Sequence, residues 1–436
     1  MSDPFFYGNP VPVSHFLDRE REIRRITGRL VSYGQSLAIV SEPRSGKTSL
    51  LFFLSDAENR QSLYGSKTDN LVFSYLDSHT LSNNFSQAEF WKFVLTPLSV
   101  QLKSKQYEPA LNQAYRTCVN NNFGTFVLEC LITQMRDAKL CLVLMLDEFD
   151  VLLQHPILNS AEFFGSLRSL TTCSKGALAL IIACRHSLTS LNDETSHFSL
   201  GGSPYFNFLD EINLSPFSDR VVGDLLSREK VYFTRDDRQF ISRVAGGHPF
   251  LLQVVASALW QSYQDQVKDP IERRRLAGAK LYDRAAETLN DTWKTWTPSM
   301  RKAFTAISLD QIGNLLASHS LDINYLLNDL RDLGIEIRSL SKQGYITPDK
   351  TRLSGWSVRS EVFIWWVADQ IICTLREDVS YEKWITNQGW EGLLKKGEKQ
   401  QLDKARGILG SVLKDGVLAF VKGAAEGFGK SLFGGV

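Results

Sequence analysis

The 436-residue chain has little that points to an oxidising compartment. Its six cysteines, Cys118, Cys130, Cys141, Cys173, Cys184 and Cys373, show no C-x-x-C spacing. Several lie inside apolar runs, so buried reduced thiols are expected rather than disulfides or a zinc site. The start, Met1-Ser-Asp-Pro-Phe-Phe6, has no basic segment leading into a long apolar run, and no secretory leader is expected. No window reaches the ~18 uninterrupted apolar residues of a membrane-spanning helix. The 49 Lys and Arg against 48 Asp and Glu leave a formal charge of +1, so no global field recruits nucleic acid or anionic lipid. No internal repeat of roughly 20–50 residues is visible, which excludes a built-in solenoid or propeller sensor. A cytoplasmic protein is expected.

What remains is an ordinary globular composition, 43% hydrophobic and 22% charged, in a chain long enough for about three domains. Its most specific stretch is Ser41-Glu-Pro-Arg-Ser-Gly-Lys-Thr48, between the apolar run at 36–40 and the helix-like Ser49–Leu54. Strand, Gly-Lys-Thr loop and helix is the order that holds a nucleoside triphosphate. A helix start offers unpaired N–H groups and a positive dipole end to phosphates. Lys47 can reach the β- and γ-phosphates, and the Thr48 hydroxyl can ligate Mg²⁺. Gly46 lets the backbone approach closely. The candidate nucleotide residues here are Ser41, Glu42, Pro43, Arg44, Ser45, Gly46, Lys47, Thr48 and Ser49. Ser41 stands where such loops carry their first glycine, so positive-φ strain and a reshaped corner are expected there.

Apolar runs at 36–41, 71–76, 140–146 and 177–184, with a weaker one near 208–214, predict strands. They lack strict alternation, which suits parallel strands covered on both faces. Helical stretches at 87–104, 108–118, 124–137 and 159–170 separate them, so an α/β parallel sheet covered by helices is expected. The strand at 140–146 runs into Asp147-Glu148 at what would be the ligand-binding edge of the sheet. Asp147 would hold Mg²⁺ beside Thr48, and Glu148 would activate the attacking water. The competing reading is a polar strand end followed by a helix cap.

The order Phe16-Leu-Asp-Arg-Glu20, the loop at 41–48, Leu146-Asp-Glu-Phe-Asp150 and Gly246-Gly-His-Pro249 resembles the STAND and archaeal-type ATPases of the AAA superfamily. The resemblance covers roughly 5–370. It implies an Mg²⁺-dependent ATPase binding ATP and ADP, in which Arg19 lies in an adenine-holding motif whose glycine is here Asp18. It further implies a helical lid with Pro249 near the nucleotide and a phosphate-sensing role for Arg185. From the same resemblance Arg168 is an arginine offered to a neighbouring subunit. A surface salt bridge is the other reading of Arg168.

From about 217 the pattern turns helical, with Phe250–Tyr263 apolar and 267–290 charged. Residues 297–370 predict helices, a hairpin around Gly344 and an apolar stretch at 362–367, the makings of a winged helix. Seven of the nine tryptophans lie at or after Trp293, which reads as dense aromatic packing or as a base-stacking surface. A recognition helix at 321–338 would carry four acids against two arginines, which disfavours DNA. Residues 387–436 hold eleven of the 29 glycines. Within 400–433 the apolar residues fall on one helical side, but glycines cost about 1 kcal/mol each relative to Ala. That segment needs a surface: its own protein, another copy, or a peripheral membrane contact. The expected domains are an ATPase core (1–215), a helical lid (216–290), a winged helix (291–375) and a C-terminal amphipathic segment (376–436). A nucleotide-dependent switch that forms homo-oligomers is expected. A DNA-associated ATPase and a non-hydrolysing scaffold are the alternatives.

Overall fold

A computed structural model describes residues 3–105, 107–198, 203–227, 233–313, 321–375, 380–412 and 417–426. All five predicted strands are present: β1 (Leu37–Val40), β2 (Leu71–Asp77), β3 (Cys141–Asp147), β4 (Leu178–Cys184) and β5 (Asp210–Asn213). They form one parallel sheet in the order β2-β3-β4-β1-β5. The period of two sorts each strand between two cores. Leu37, Ile39, Phe73, Val143, Met145 and Ile181 pack with Ile26, Leu30, Leu50 and Leu54 of the helices Glu20–Tyr33 and Lys47–Ser55. Ala38, Val40, Val72, Leu144 and Ile182 turn the other way, onto Phe90, Trp91, Leu131 and Leu167. Both faces are apolar, and that is why the strands read as continuous hydrophobic runs.

The stretch at 87–104 is two helices, Gln87–Val94 and Thr96–Ser104. Pro97 has no N–H to continue the first ladder, and it starts the second helix instead. The first is opened by a capping box between Ser86 and Glu89.

Contacts divide the chain into two units, one of Val11–Ser41 with Gly46–Leu214, the other of Met1–Pro10, Glu42–Ser45 and Ser215–Val436. The boundaries expected at 290 and 375 fall inside the second. There, helix Pro249–Gln264 packs along the 26-residue helix Pro270–Thr295, which runs through position 290. Trp293, Trp296, Phe304, Phe363 and Trp366 are all buried and in ring contact, so these aromatics form a core and not a stacking surface.

From Pro298 the order is helix Pro298–Gly313, helix Asn324–Asp329, helix Gly334–Gln343, then an antiparallel ribbon of β6 (Ile346–Pro348) and β7 (Trp356–Val358). The predicted helix at 321–338 is therefore broken, since turns occupy 330–332 before Gly334 starts the next helix. Gly344, with φ +87°, caps that helix rather than turning the hairpin. The helix before the ribbon carries Arg338 and Lys342 against Glu336, so the acidic count over 321–338 does not describe one surface. The apolar stretch at 362–367 lies in helix Glu361–Cys373.

The C-terminal segment forms helices Lys396–Val412 and Val417–Glu426, and Phe428 and Leu432 lie outside the described residues. Leu402, Ala405, Leu409, Phe420, Val421 and Ala424 are buried within their own unit. Two devices hold these helices. Lys302 Nζ, 3% exposed, donates to Asp329 Oδ2 at 2.6 Å and to Glu398 Oε2 at 3.1 Å. Helix Val417–Glu426 lies so close to helix Pro270–Thr295 that a Cβ on Gly278 would sit 2.8 Å from Val421 Cγ1. Among the described residues, no helix is long and apolar enough to cross a membrane.

Candidate active site

In the first unit the chain leaves β1 at Ser41, whose N–H donates to the Cys184 carbonyl at 3.2 Å. This extends the β1–β4 ladder by one residue. Ser41 does not take positive φ, so the strain expected at that corner is not there. The left-handed conformations fall instead at Arg44 (φ +59°) and Gly46 (φ +99°). Helix Lys47–Ser55 then begins after Gly46, which has no side chain to cap it. A Cβ built on Gly46 would meet nothing within 4 Å, so the glycine serves the backbone angle while the space before it is open.

Lys47 is 4% exposed and its Nζ donates to the Ser41 carbonyl at 3.0 Å. Burial pulls its pKa below the ordinary 10.5, while the carboxylates of Glu148 and Asp150 push back and Arg185 adds to the fall. The loop lysine and the acids of the β3 end therefore share one electrostatic environment. Thr48 is half-buried in the first helical turn. The Ser49 Oγ accepts the Val11 N–H at 3.1 Å.

Asp147 ends β3 and is 2% exposed. Its Oδ2 accepts the Tyr75 hydroxyl at 3.0 Å, and its Oδ1 accepts the Glu148 N–H at 3.0 Å. Glu148 itself is left-handed (φ +47°, ψ +48°), the backbone turning sharply as the strand ends. Its Oε2 lies 3.2 Å from Arg185 Nη2 and 3.9 Å from His79 Nε2. Asp150 accepts the N–H groups of Arg185 (2.7 Å) and His186 (3.2 Å), which pins the turn after β4 to the turn after β3. Arg185 is thus brought to Glu148. Arg168, on helix Ala161–Cys173, instead donates to the Ser203 carbonyl at 2.8 Å.

Asp18 and Arg19 are both left-handed (φ +64° and +76°), the geometry for which the related motif uses glycine. Aspartate is among the residues that tolerate it. Arg19 is 4% exposed, 3.9 Å from Glu22, and its carbonyl accepts the Ile23 N–H that starts helix Glu20–Tyr33.

In the second unit, Ser45 Oγ donates to the Glu42 carbonyl at 2.8 Å, closing the crest of the loop. Glu42 lies 3.6 Å from His248 Nε2 and also bonds the buried Tyr345 hydroxyl, whose pKa burial pushes up. His248 Nδ1 accepts the Leu251 N–H at 3.4 Å, capping the helix that Pro249 begins. That bond leaves the ring proton on Nε2, facing Glu42. Pro43 is half-buried, and the Arg44 guanidinium stacks 4.5 Å above the Phe250 ring.

Sequence reasoning missed Tyr75, His79, Asp150 and His186. Asp150 stood inside a recognised motif without a role. The other three come from loops and strands whose local pattern says nothing of the β3 end they meet.

A parallel sheet in this order, with a Gly-Lys-Thr loop after β1 and an Asp-Glu pair after β3, defines a P-loop ATPase fold. A profile of the AAA-like domain family matches residues 9–292, well over half of the chain, and the chain belongs to that family. Among solved structures it is similar to a Walker-type ATPase of Pyrococcus abyssi, at 15% identity over 81% of this chain and 96% of that one, with a TM-score of 0.51. It is also similar to the ORC2 protein of Aeropyrum pernix, at 13% identity over 83% and 97%, with a TM-score of 0.46. A STAND protein with a tetratricopeptide repeat sensor from Pyrococcus horikoshii matches at 14% identity over 99% of this chain and 60% of that one, with a TM-score of 0.35. These likenesses are of fold alone. No curated protein matches the chain.

Proposed function

We propose that this protein is an Mg²⁺-dependent ATPase that works as a nucleotide-controlled switch. One observation carries the reading: Lys47, at an uncapped helix start, is held in the same electrostatic environment as Glu148 and Asp150. A buried cation at a helix start fits a polyphosphate, and the adjacent carboxylates fit a divalent ion and a water to be activated. Lys47, Gly46 and the first-turn N–H groups would hold the phosphates, and Thr48 and Asp147 would hold Mg²⁺. Bound magnesium would neutralise charge developing on the phosphates. Glu148 takes a proton from the attacking water through a carboxylate oxygen, a general-base role worth about 10²–10⁴ in rate. Arg185, already on Glu148, is suited to report the state of the γ-phosphate to the turn it shares with Asp150. Arg168 must give up its bond to Ser203 before it can serve a neighbouring copy.

The residues beyond the sheet are read as the responding part: a lid from 216 to 290, a winged helix from 291 to 375, and the segment 376–436. Helix, helix, helix, ribbon from Pro298 to Val358 is the winged-helix order. Its helix Gly334–Gln343 nets a single positive charge, short of the clustered Lys and Arg that phosphate-backbone binding favours. A signalling or defence switch with nucleotide-driven homo-oligomerisation is therefore preferred to a DNA-associated ATPase. The test is turnover and mass of the purified protein with ADP, with ATP, and with Glu148→Gln and ATP. The proposal expects Mg²⁺-dependent turnover abolished by Glu148→Gln and a larger assembly with ATP than with ADP. Unchanged turnover in Glu148→Gln would favour a non-hydrolysing scaffold, and a constant monomer mass would remove the oligomeric part.

A further inference from the structure

Among the described residues β2 ends the sheet, and only one of its two edges is paired. An open edge strand is a template for another chain unless something covers it. A cleft of ≈ 650 Å³ runs beside it, floored by the five consecutive residues from Leu71 to Tyr75. The facing wall is one stripe of the helical region after β2: Phe93, Thr96, Pro97, Val100, Gln101 and Ser104 also line the cleft. Within helix Thr96–Ser104, spacings of three and four put the last five on one side, and Phe93 joins them from the helix before. The two walls match in length. Four strand steps from Leu71 to Tyr75 span about 13 Å, and the eight steps of helix Thr96–Ser104 span about 12 Å.

The chemistry of the walls selects the occupant. Phe93 and Val100 are 49% and 60% exposed, among the larger exposed apolar side chains of the protein. The charged lining is Arg60, Lys105 and Asp69, two bases to one acid, and Asp69 already pairs with Lys105 at 3.7 Å. Apolar wall, basic margin and an unpaired strand edge between them are complementary to an extended segment with alternating apolar residues and a carboxylate. We propose that the cleft between β2 and helix Thr96–Ser104 is a docking groove in which an extended, apolar-acidic peptide segment of a partner protein adds a sixth strand to the sheet beside β2. Main-chain hydrogen bonds would supply affinity, and the Phe93–Val100 wall would select alternate side chains. Apart from Tyr75, whose hydroxyl bonds Asp147, none of these residues is assigned to the nucleotide site.

The test is selection of displayed random decapeptides on the full-length protein without nucleotide, followed by anisotropy with the selected peptides. Recovered sequences should alternate apolar residues and carry an acid. Affinity should fall about tenfold or more, roughly 1.4 kcal/mol, both for Val100→Arg and for peptides N-methylated at alternate amides. Val100 is solvent-exposed, so an unchanged thermal melt shows that Val100→Arg still folds. Lys105→Glu should cost several-fold for the same peptides. Recovery of no binders, of binders without alternation, or of binders equally tight to Val100→Arg would overturn the proposal. So would N-methylated peptides binding as well as their parents. Peptide-free dimers that Val100→Arg dissociates would replace the partner with a second copy.

Discussion

Tyr75 donates its hydroxyl hydrogen to Oδ2 of Asp147 across the β2–β3 pair, at 3.0 Å. The acid is 2% exposed and spends its other oxygen on the Glu148 N–H, so its orientation is set from both sides. Tyr75→Phe keeps the ring contact with Phe52 and removes only the hydroxyl bond. A freed buried carboxylate oxygen costs about 1–3 kcal/mol. Turnover at limiting Mg²⁺ is expected to fall about tenfold, while nucleotide affinity measured without metal stays the same. A titration of rate against Mg²⁺ checks it: equal Mg²⁺ dependence in the variant would make Tyr75 a packing residue only.

The Lys47 amine is a second handle. A triphosphate attracts it only in the charged form, and burial has already lowered its pKa from 10.5. Nucleotide affinity should therefore be full below that lowered pKa and decline as pH rises through it. The decline comes earlier than for an ordinary lysine. Binding isotherms from pH 7 upward test this, with Lys47→Ala as the pH-independent baseline.

Glu361 gives the stability of the second unit its own pH dependence. Burial pushes its carboxyl up to about 7, against the pull of Arg243, whose Nε lies 2.9 Å from it. A raised carboxyl pKa means the folded protein holds the proton more tightly than the unfolded chain. Stability is then greatest below the ordinary value of 4.5 and declines as pH rises from there to about 7. The full span corresponds to roughly 3 kcal/mol. Glu361→Gln removes this dependence, so its stability relative to wild type should be more favourable at pH 8 than at pH 5. Urea melts at both pH values decide it. An equal difference at the two would show that Glu361 does not titrate there.

Lys302 is the buried cation between two acids, Asp329 and Glu398. Lys302→Met leaves the buried Glu398 without its cation, while Asp329 keeps Lys395 at 2.7 Å, and the loss is expected to be about 3–5 kcal/mol. Because Glu398 belongs to helix Lys396–Val412, that helix should become the first site of proteolysis. The triple replacement of Lys302, Asp329 and Glu398 by apolar residues should recover much of the loss. Limited digestion with mass mapping distinguishes these outcomes.

The sheet was legible because its evidence is local. Five apolar runs and a Gly-Lys-Thr loop each declare themselves within ten residues. The approach of Lys47 to the β3 acids followed from where such loops sit, whereas the order of the strands was not read from the sequence. Elsewhere a single residue overrode the periodicity. Pro97 divides one amphipathic stretch into two helices, and Gly334 begins a helix where a continuous one was expected. The unread parts are contacts far apart in the chain. Nothing near Asp150 announces that it will bind the N–H groups of Arg185 and His186. Tyr75 reads as one more aromatic in a strand. The C-terminal glycines read as weak helix, and it took the neighbouring helix to show what two C-terminal helices rest on.

That neighbour contributes through what it omits. Position 278 faces Val421 with no carbon of its own, and the two helical backbones close together over the gap. A methyl group there would act as a wedge, prising at the final helix without altering any charge or hydrogen bond of the protein. The chain therefore contains a one-atom lever over its own C-terminus, set more than a hundred residues before the part it moves.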